Sequence, residues 1–188
     1  MKEHKNYLKS DTQSKFLSLL LRHRPGDYGL VLDHQGWTDV VGLVELFAGQ
    51  FKGFTRDDLF KIVAEDTKTR YSLTQDLTRI RANQGHNKNL DVDPGLVEHI
   101  PPQTLFHGTK ASVISVILRD GLKPMSRHHV HLSETKITAE TVGSRREGET
   151  VIIGINAHDM HRSAYTFWKS QNNVWLAKHV PVEFLFLA

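Results

Sequence analysis

Four short clusters combine residue types that could grip or process a phosphorylated ligand. The first is Arg22-His-Arg24, placed just before Pro25. Two guanidiniums flanking an imidazole can hold an anion through planar, non-titrating forks and add one group that titrates near neutrality. The same three residues also suit a last helical turn, where cations cap carbonyls and complement the dipole. The second cluster is Arg79-Ile-Arg-Ala-Asn-Gln-Gly-His86, with Arg70 upstream. On a strand Arg79 and Arg81 share one face, and Asn83, Gln84 and His86 would follow in an exposed turn. Such groups suit phosphates and 2′-hydroxyls of RNA; a solvated hairpin face is the alternative.

The third cluster, His107-Gly-Thr109, is expected at a strand end before a helix. There Gly108 would let a ligand approach the backbone, and the helix N-terminus would favour phosphate. The fourth is Arg127-His-His-Val-His-Leu-Ser133. On a strand His129 and His131 face one way, but no carboxylate or third imidazole sits at ligand spacing, so no metal site is expected. A His and a Ser oriented inside a ligand cleft is the better reading. His107-x-Thr109 and His131-x-Ser133 also form two H-x-[ST] units, the pair from which 2H RNA phosphoesterases build an acid and a base. A separation of only 24 residues leaves little room for the repeated halves of such an enzyme.

Composition narrows the field. The chain has 188 residues, 39% hydrophobic and 24% charged, as in a folded domain or two small lobes. There is no cysteine, which removes disulfides, thiol nucleophiles and Cys-containing zinc sites together. Net charge is only +3, with 14 basic against 13 acidic residues up to Pro94 and 10 against 8 beyond it. Nucleic-acid binding would therefore rest on placed arginines rather than bulk charge. Eight of the 12 histidines follow Pro94. Neither GxGxxG nor GxxxxGK[ST] nor HExxH occurs. The polar N-terminus and the absence of an apolar run near ~18 residues point to the cytoplasm, and nothing demands more than a monomer.

The elements that must position these clusters follow from periodicity and caps. Phe16, Leu17, Leu19, Leu20 and Leu21 form a helical apolar face, with Asp11 or Thr12 as N-cap and Pro25 as the stop. Gly29 to Asp33 reads as a short strand ending in the turn His34-Gln-Gly36, and Thr38 as the cap of a helix to about Phe47. Thr55-Arg-Asp-Asp58 opens a helix through Ala64, and 70–74 with 78–82 make a hairpin. Helices followed by a hairpin are the order of a winged-helix module. The Gly-, Asn- and Pro-rich stretch from Gly85 to Gln103 is the expected linker. Strands at 104–107, 130–133, 151–156, 174–176 and 182–187, with helices at 111–120 (closed by Gly121) and 134–142, make a β-rich second lobe. The expectation is an α+β chain: lobe 1–92, linker 93–103, lobe 104–188.

Several blocks in register resemble the NAD-dependent RNA 2′-phosphotransferase family (KptA): Leu20-Leu-Arg-His-Arg-Pro25, Gly29-Leu-Val-Leu-Asp33 with Gly36-Trp37, Arg70-Tyr71, Ile80-Arg-Ala-Asn-Gln-Gly-His86, Leu105-Phe-His-Gly-Thr109, Asp120-Gly-Leu122, Val130-His-Leu-Ser133 and Val174-Trp-Leu176. The resemblance implies an N-terminal winged-helix RNA-binding lobe and a C-terminal ADP-ribosyltransferase-like lobe of mixed α/β structure. It implies that an RNA 2′-phosphate, as at tRNA splice junctions, is transferred to NAD⁺, consumed as co-substrate, through an RNA-2′-phospho-ADP-ribose intermediate. The products would be 2′-OH RNA, ADP-ribose 1″,2″-cyclic phosphate and nicotinamide, with no metal required. The family's Arg-His-Arg-Arg tetrad falls on Arg22, His23, Arg70 and Arg127, expected to converge on one phosphate. By the same resemblance His107, Gly108, Thr109, Gly121, His131, Leu132, Ser133 and Val174 serve NAD⁺, and Arg81, Asn83, Gln84 and His86 serve RNA. Val174 stands where many protein-modifying relatives carry a catalytic Glu, which fits a nucleophile that is already an anion.

Overall fold

The computed structural model describes residues 2–188, and side chains from residue 11 onward. Two compact units divide the chain at Gly95–Leu96, and the architecture is α+β. The first unit opens with α1 (Lys2–Arg22), followed by a 3-10 turn at Gly26–Tyr28. Then come β1 (Thr38–Asp39), α2 (Val40–Gln50), α3 (Arg56–Ala64), β2 (Tyr71–Leu73) and β3 (Arg79–Ala82). The strands form one antiparallel sheet in the order β1-β3-β2, with Tyr71 opposite Ala82 and Thr38 opposite Ile80. Leu17, Leu20 and Leu21 of α1 pack with Leu43, Phe47, Leu59, Ile62 and Ile80 into a single core. Phe16, Phe47, Phe51 and Phe54 close one side of it with ring contacts at 4.5–6.4 Å.

Local signals explain most boundaries. The capping box is present: the Asp58 amide donates to Thr55 Oγ1, and the Thr55 amide donates to Asp58 Oδ2 at 2.8 Å. The hairpin pairs as expected. Helix α1 starts well before Asp11 and Thr12, so neither is its N-cap. No Pro or Gly interrupts 2–22, and Asp11 instead pairs with Lys15 one turn on, at 2.6 Å. The cap of α2 is Asp39 rather than Thr38: the helix begins at Val40, and the Asp39 carboxylate accepts from the Gly42 amide. Residues 29–33 form no strand. Their ladder partners are absent, and Asp33 turns its carboxylate back onto the Gln35 and Trp37 amides.

The second unit contains β4 (Val97–Glu98), β5 (Thr104–Lys110), α4 (Ile114–Asp120), β6 (Val130–Leu132), α5 (Lys136–Gly143), β7 (Thr150–Asn156), α6 (Ala157–Arg162), β8 (Phe167–Lys169), β9 (Trp175–Ala177) and β10 (Leu185–Leu187). Two antiparallel sheets result, β10-β7-β5 and β4-β8-β9-β6. A bridge between Phe106 and Ser133 links β5 to the end of β6. Leu105, Leu132, Ile153, Ile155, Phe167 and Trp175 fill the core. Strand β4 lies inside the stretch expected to be pure linker: Val97 and Glu98 pair with Lys169 and Trp168. Among the described residues no helix is long and apolar enough to cross a membrane.

Candidate active site

In the first unit the end of α1 and the start of β2 bring Arg22 and Arg70 together. Arg22, in the last turn of α1, is only 7% exposed. Its Nη2 donates to the Arg70 carbonyl at 3.4 Å, and its guanidinium lies 5.7 Å from the Tyr71 ring centroid. Arg70 is held by Asp66, the carboxylate of which accepts from Arg70 Nη1 and, at 2.5 Å, from the Arg70 amide. The Tyr71 hydroxyl is pushed up by burial, against the opposing pull of the two arginine charges. His23 follows Arg22 directly, half-buried, its amide closing the helix onto the Leu19 carbonyl. The Asn87 amide donates to the Arg22 carbonyl at 2.7 Å, which ties the segment after the hairpin to this corner.

The residues expected in an exposed turn are buried. Asn83 donates from Nδ2 to the Thr69 carbonyl at 2.8 Å and accepts the Ser72 hydroxyl at 2.7 Å, so both amide atoms brace the loop that carries Arg70. His86 is 2% exposed, packed so closely under the Gly36 turn that a Cβ there would lie 3.2 Å from its Nε2. Gln84 is buried too, with its Oε1 unpartnered. Arg79 and Arg81 share a face, as strand alternation requires, but both are engaged. Arg79 pairs with Asp33 at 2.7 Å. Arg81 stacks on Trp37 at 4.6 Å and donates to the Pro94 carbonyl at 3.2 Å. Burial lowers the Arg81 pKa, partly countered by Asp33.

In the second unit β5 and β6 bring His107, His131 and Arg127 together. His107 Nδ1 donates to the His131 carbonyl at 2.9 Å, leaving Nε2 as an acceptor. Burial holds its pKa below the ordinary histidine value, against the hydrogen bond to His131. Arg127 donates from Nη1 to His131 Nδ1, which places the His131 ring proton on Nε2. No carboxylate among the described residues pairs with Arg127. Its pKa is lowered by burial and then by the charges of Arg146 and Arg145, two cations the sequence reading did not single out. A guanidinium desolvated among like charges is suited to an anionic ligand.

Several residues expected at the cofactor also have roles within the fold. His107, Gly108 and Thr109 lie near the end of β5, before the 3-10 helix Ala111–Val113 and α4, as expected; the ladder to β7 carries the strand three residues further than expected, to Lys110 opposite Thr150. Gly108 gives its open face to α5: a Cβ would sit 1.9 Å from the Ala139 carbonyl oxygen. Gly121, at φ +78°, allows the close approach of the Val180 carbonyl, which a Cβ would meet at 2.4 Å. Leu132 is a core side chain. Ser133 and Val174 are half-buried. Ser133 exchanges backbone hydrogen bonds with Phe106, and the Val174 amide donates to Ser170 Oγ. Near that turn Glu134 is committed to Trp175 Nε1 and Lys169 Nζ, each at 3.1 Å, and both lower its pKa. Among the described residues no group of three His, Asp or Glu could hold a metal ion.

Sequence reading missed Asp66, which no motif includes. Its signal is the i,i+4 spacing to Arg70 in the loop after α3.

Residues 9–179 match the family model described as RNA 2′-phosphotransferase, Tpt1 / KptA family. A probable RNA 2′-phosphotransferase of Burkholderia pseudomallei is 44% identical over 180 residues, 96% of each chain. One of Rhodopirellula baltica is 43% identical over 95% of this chain and 98% of its own. One of Trichormus variabilis is 45% identical over 93% of this chain and 94% of its own. With two held arginines in one unit and a desolvated arginine beside paired histidines in the other, the chain belongs to the RNA 2′-phosphotransferase, Tpt1 / KptA family.

Proposed function

We propose that this chain removes a 2′-phosphate from RNA by transferring it to NAD⁺. In this reading 1–92 is a winged-helix RNA-binding lobe, 93–103 a linker and 104–188 an ADP-ribosyltransferase-like lobe. The observation that carries it is the contact of the Arg22 guanidinium with the Arg70 carbonyl, within a chain that aligns over 96% of its length with a probable RNA 2′-phosphotransferase.

When bound, NAD⁺ supplies an electrophilic ribosyl carbon, from which nicotinamide leaves, and a neighbouring hydroxyl that accepts the phosphoryl group. The residues of the second unit suit it: His107 offers a neutral acceptor nitrogen for a ribose hydroxyl, and His131 offers an Nε2 proton. Gly108, Gly121 and Leu132 serve it only by packing the strands and helix that carry these groups. Arg22 and Arg70 of the first unit, and Arg127 of the second, are each assigned to the 2′-phosphate, offsetting the dianion and stabilising the charge that builds up during phosphoryl transfer. His23 assists that second step by moving a proton at the hydroxyl. Arg81, Asn83, Gln84 and His86 shape the hairpin end that presents Arg70 to RNA. The nucleophile is already ionised, so no carboxylate base is required at Val174.

The experiment is incubation with a 2′-phosphorylated oligoribonucleotide and a metal chelator, with and without NAD⁺. Phosphate removal only with NAD⁺ is expected. Equal removal without it would overturn the reading in favour of a 2H-type phosphodiesterase using His107 and His131. Arg22→Ala should cost at least roughly a hundredfold in kcat/KM, and His23→Ala should leave RNA joined to ADP-ribose as an accumulating species on a denaturing gel.

A further inference from the structure

We propose that Asp66 is a positioning residue for 2′-phosphate recognition, acting through Arg70. Asp66 fixes Arg70 at two donors. The Asp66 side chain, 4% exposed, accepts from Arg70 Nη1 through Oδ1 and from the Arg70 amide through Oδ2 at 2.5 Å. The Lys68 amide also donates to Oδ1 at 3.3 Å. One carboxylate thus shapes the loop after α3 and orients the side chain at its end.

Two further observations show how strongly this loop is specified. Thr69 sits at φ +44°, a left-handed conformation costly for a β-branched residue, which persists only where the surroundings impose it. Asn83 supplies that imposition, holding the Thr69 carbonyl through its side chain and the Arg70 carbonyl through its amide at 2.8 Å. Strain concentrated beside one arginine, with a buried carboxylate gripping its guanidinium, is the construction expected of a pre-aimed ligand contact.

The chemistry of the fork then sets how Arg70 is used. With Nη1 committed to Asp66, the side-on edge made by Nε and Nη2 is the pair of parallel donors left to meet two phosphate oxygens. Asp66 also offsets one of the two positive charges at this corner, so that a 2′-phosphate meets a fixed geometry rather than two mobile cations.

The inference rests on the phosphate-clamp reading, and its test separates the two. Binding of matched 2′-phosphorylated and 2′-OH oligoribonucleotides is measured without NAD⁺ for wild type, Asp66→Asn, Arg70→Ala and the double variant. The wild-type preference for the 2′-phosphate should fall about tenfold in Asp66→Asn, with no further loss when Asp66→Asn is added to Arg70→Ala, and KM for NAD⁺ should stay unchanged. An unchanged preference in Asp66→Asn, or an equal loss on both backgrounds, overturns the positioning role while wild-type NAD⁺-dependent turnover stands. Absence of that turnover overturns the clamp reading itself. Should Asp66→Asn fail to fold, nitrogen NMR of wild-type Arg70 decides. Hindered rotation about the Cζ–Nη1 bond is expected, and a freely rotating guanidinium refutes the proposal.

Discussion

Each arginine of the proposed clamp is anchored by a different acceptor: the Asp66 carboxylate for Arg70, a main-chain carbonyl and the Tyr71 ring for Arg22, and the His131 imidazole for Arg127. An imidazole positions a guanidinium without neutralising it, so Arg127 keeps its full charge for an incoming anion. Lysine cannot reproduce that geometry, because its ammonium has no planar fork. Arg127→Lys should therefore lower kcat/KM by roughly a hundredfold while leaving the thermal midpoint within a degree or two, and steady-state kinetics beside a melting curve check both. His107 makes a pH prediction. Its pKa is depressed on folding, so below the unfolded value of 6.5 the unfolded chain binds the extra proton first. The neutral ring's contribution is thus fully present above that value and is lost as pH falls through it toward the folded pKa. His107→Asn keeps a donor for the His131 carbonyl but does not titrate. Urea denaturation at pH 7.5 and pH 5 should show a smaller acid-induced loss in this variant than in wild type, and equal losses would assign the effect to other groups.

At the scale of elements, what could be read in advance were features written in a few adjacent residues. The Thr55 capping box, the hairpin from Tyr71 to Ala82 and the stop before Pro25 are local, and they appear where expected. What escaped depended on partners distant in sequence. Asp39 replaces Thr38 as the cap because α2 begins only at Val40, after β1, whose partner β3 lies 40 residues away. Likewise, β5 runs on from His107 to Lys110 because β7 lies beside it. The tetrad positions come from the family resemblance and Asn83 from one of its blocks, but Asp66, which holds Arg70, lies in no motif. Gly108 illustrates the limit: sequence shows a glycine beside a histidine, and only the fold shows that α5 occupies the space. Gly108→Ala should destabilise by about 3 kcal/mol or more, because the Ala139 carbonyl oxygen that a Cβ meets at 1.9 Å belongs to helix backbone and cannot swing aside. Thr55→Ala should cost only about 1 kcal/mol and leave kcat untouched. Chemical denaturation of both variants tests the contrast, and a Gly108→Ala loss as small as the cap's would show that α5 shifts freely.

For the molecule as a whole, little net positive charge is offered to the RNA backbone. Net charge is +3, and many exposed cations are already paired on the surface: Lys15 with Asp11, Arg24 with Asp27, Lys61 with Glu65, Arg79 with Asp33, and Arg119 with Asp120. The arginines assigned to the ligand are the exceptions in kind, Arg22 buried and Arg127 desolvated beside Arg145 and Arg146. Binding strength must then be concentrated on the 2′-phosphate rather than spread along the chain of phosphodiesters. Counterion release makes this measurable, since each neutralised phosphate of a single strand contributes about −0.7 to the slope of log K against log salt. A short 2′-phosphorylated oligoribonucleotide should give a slope on the order of −2, its 2′-OH counterpart a shallower one, and lengthening the RNA should change neither. A slope steeper than about −5, growing with RNA length, would instead reveal an extended cationic path and remove the reason for expecting the 2′-phosphate to dominate recognition.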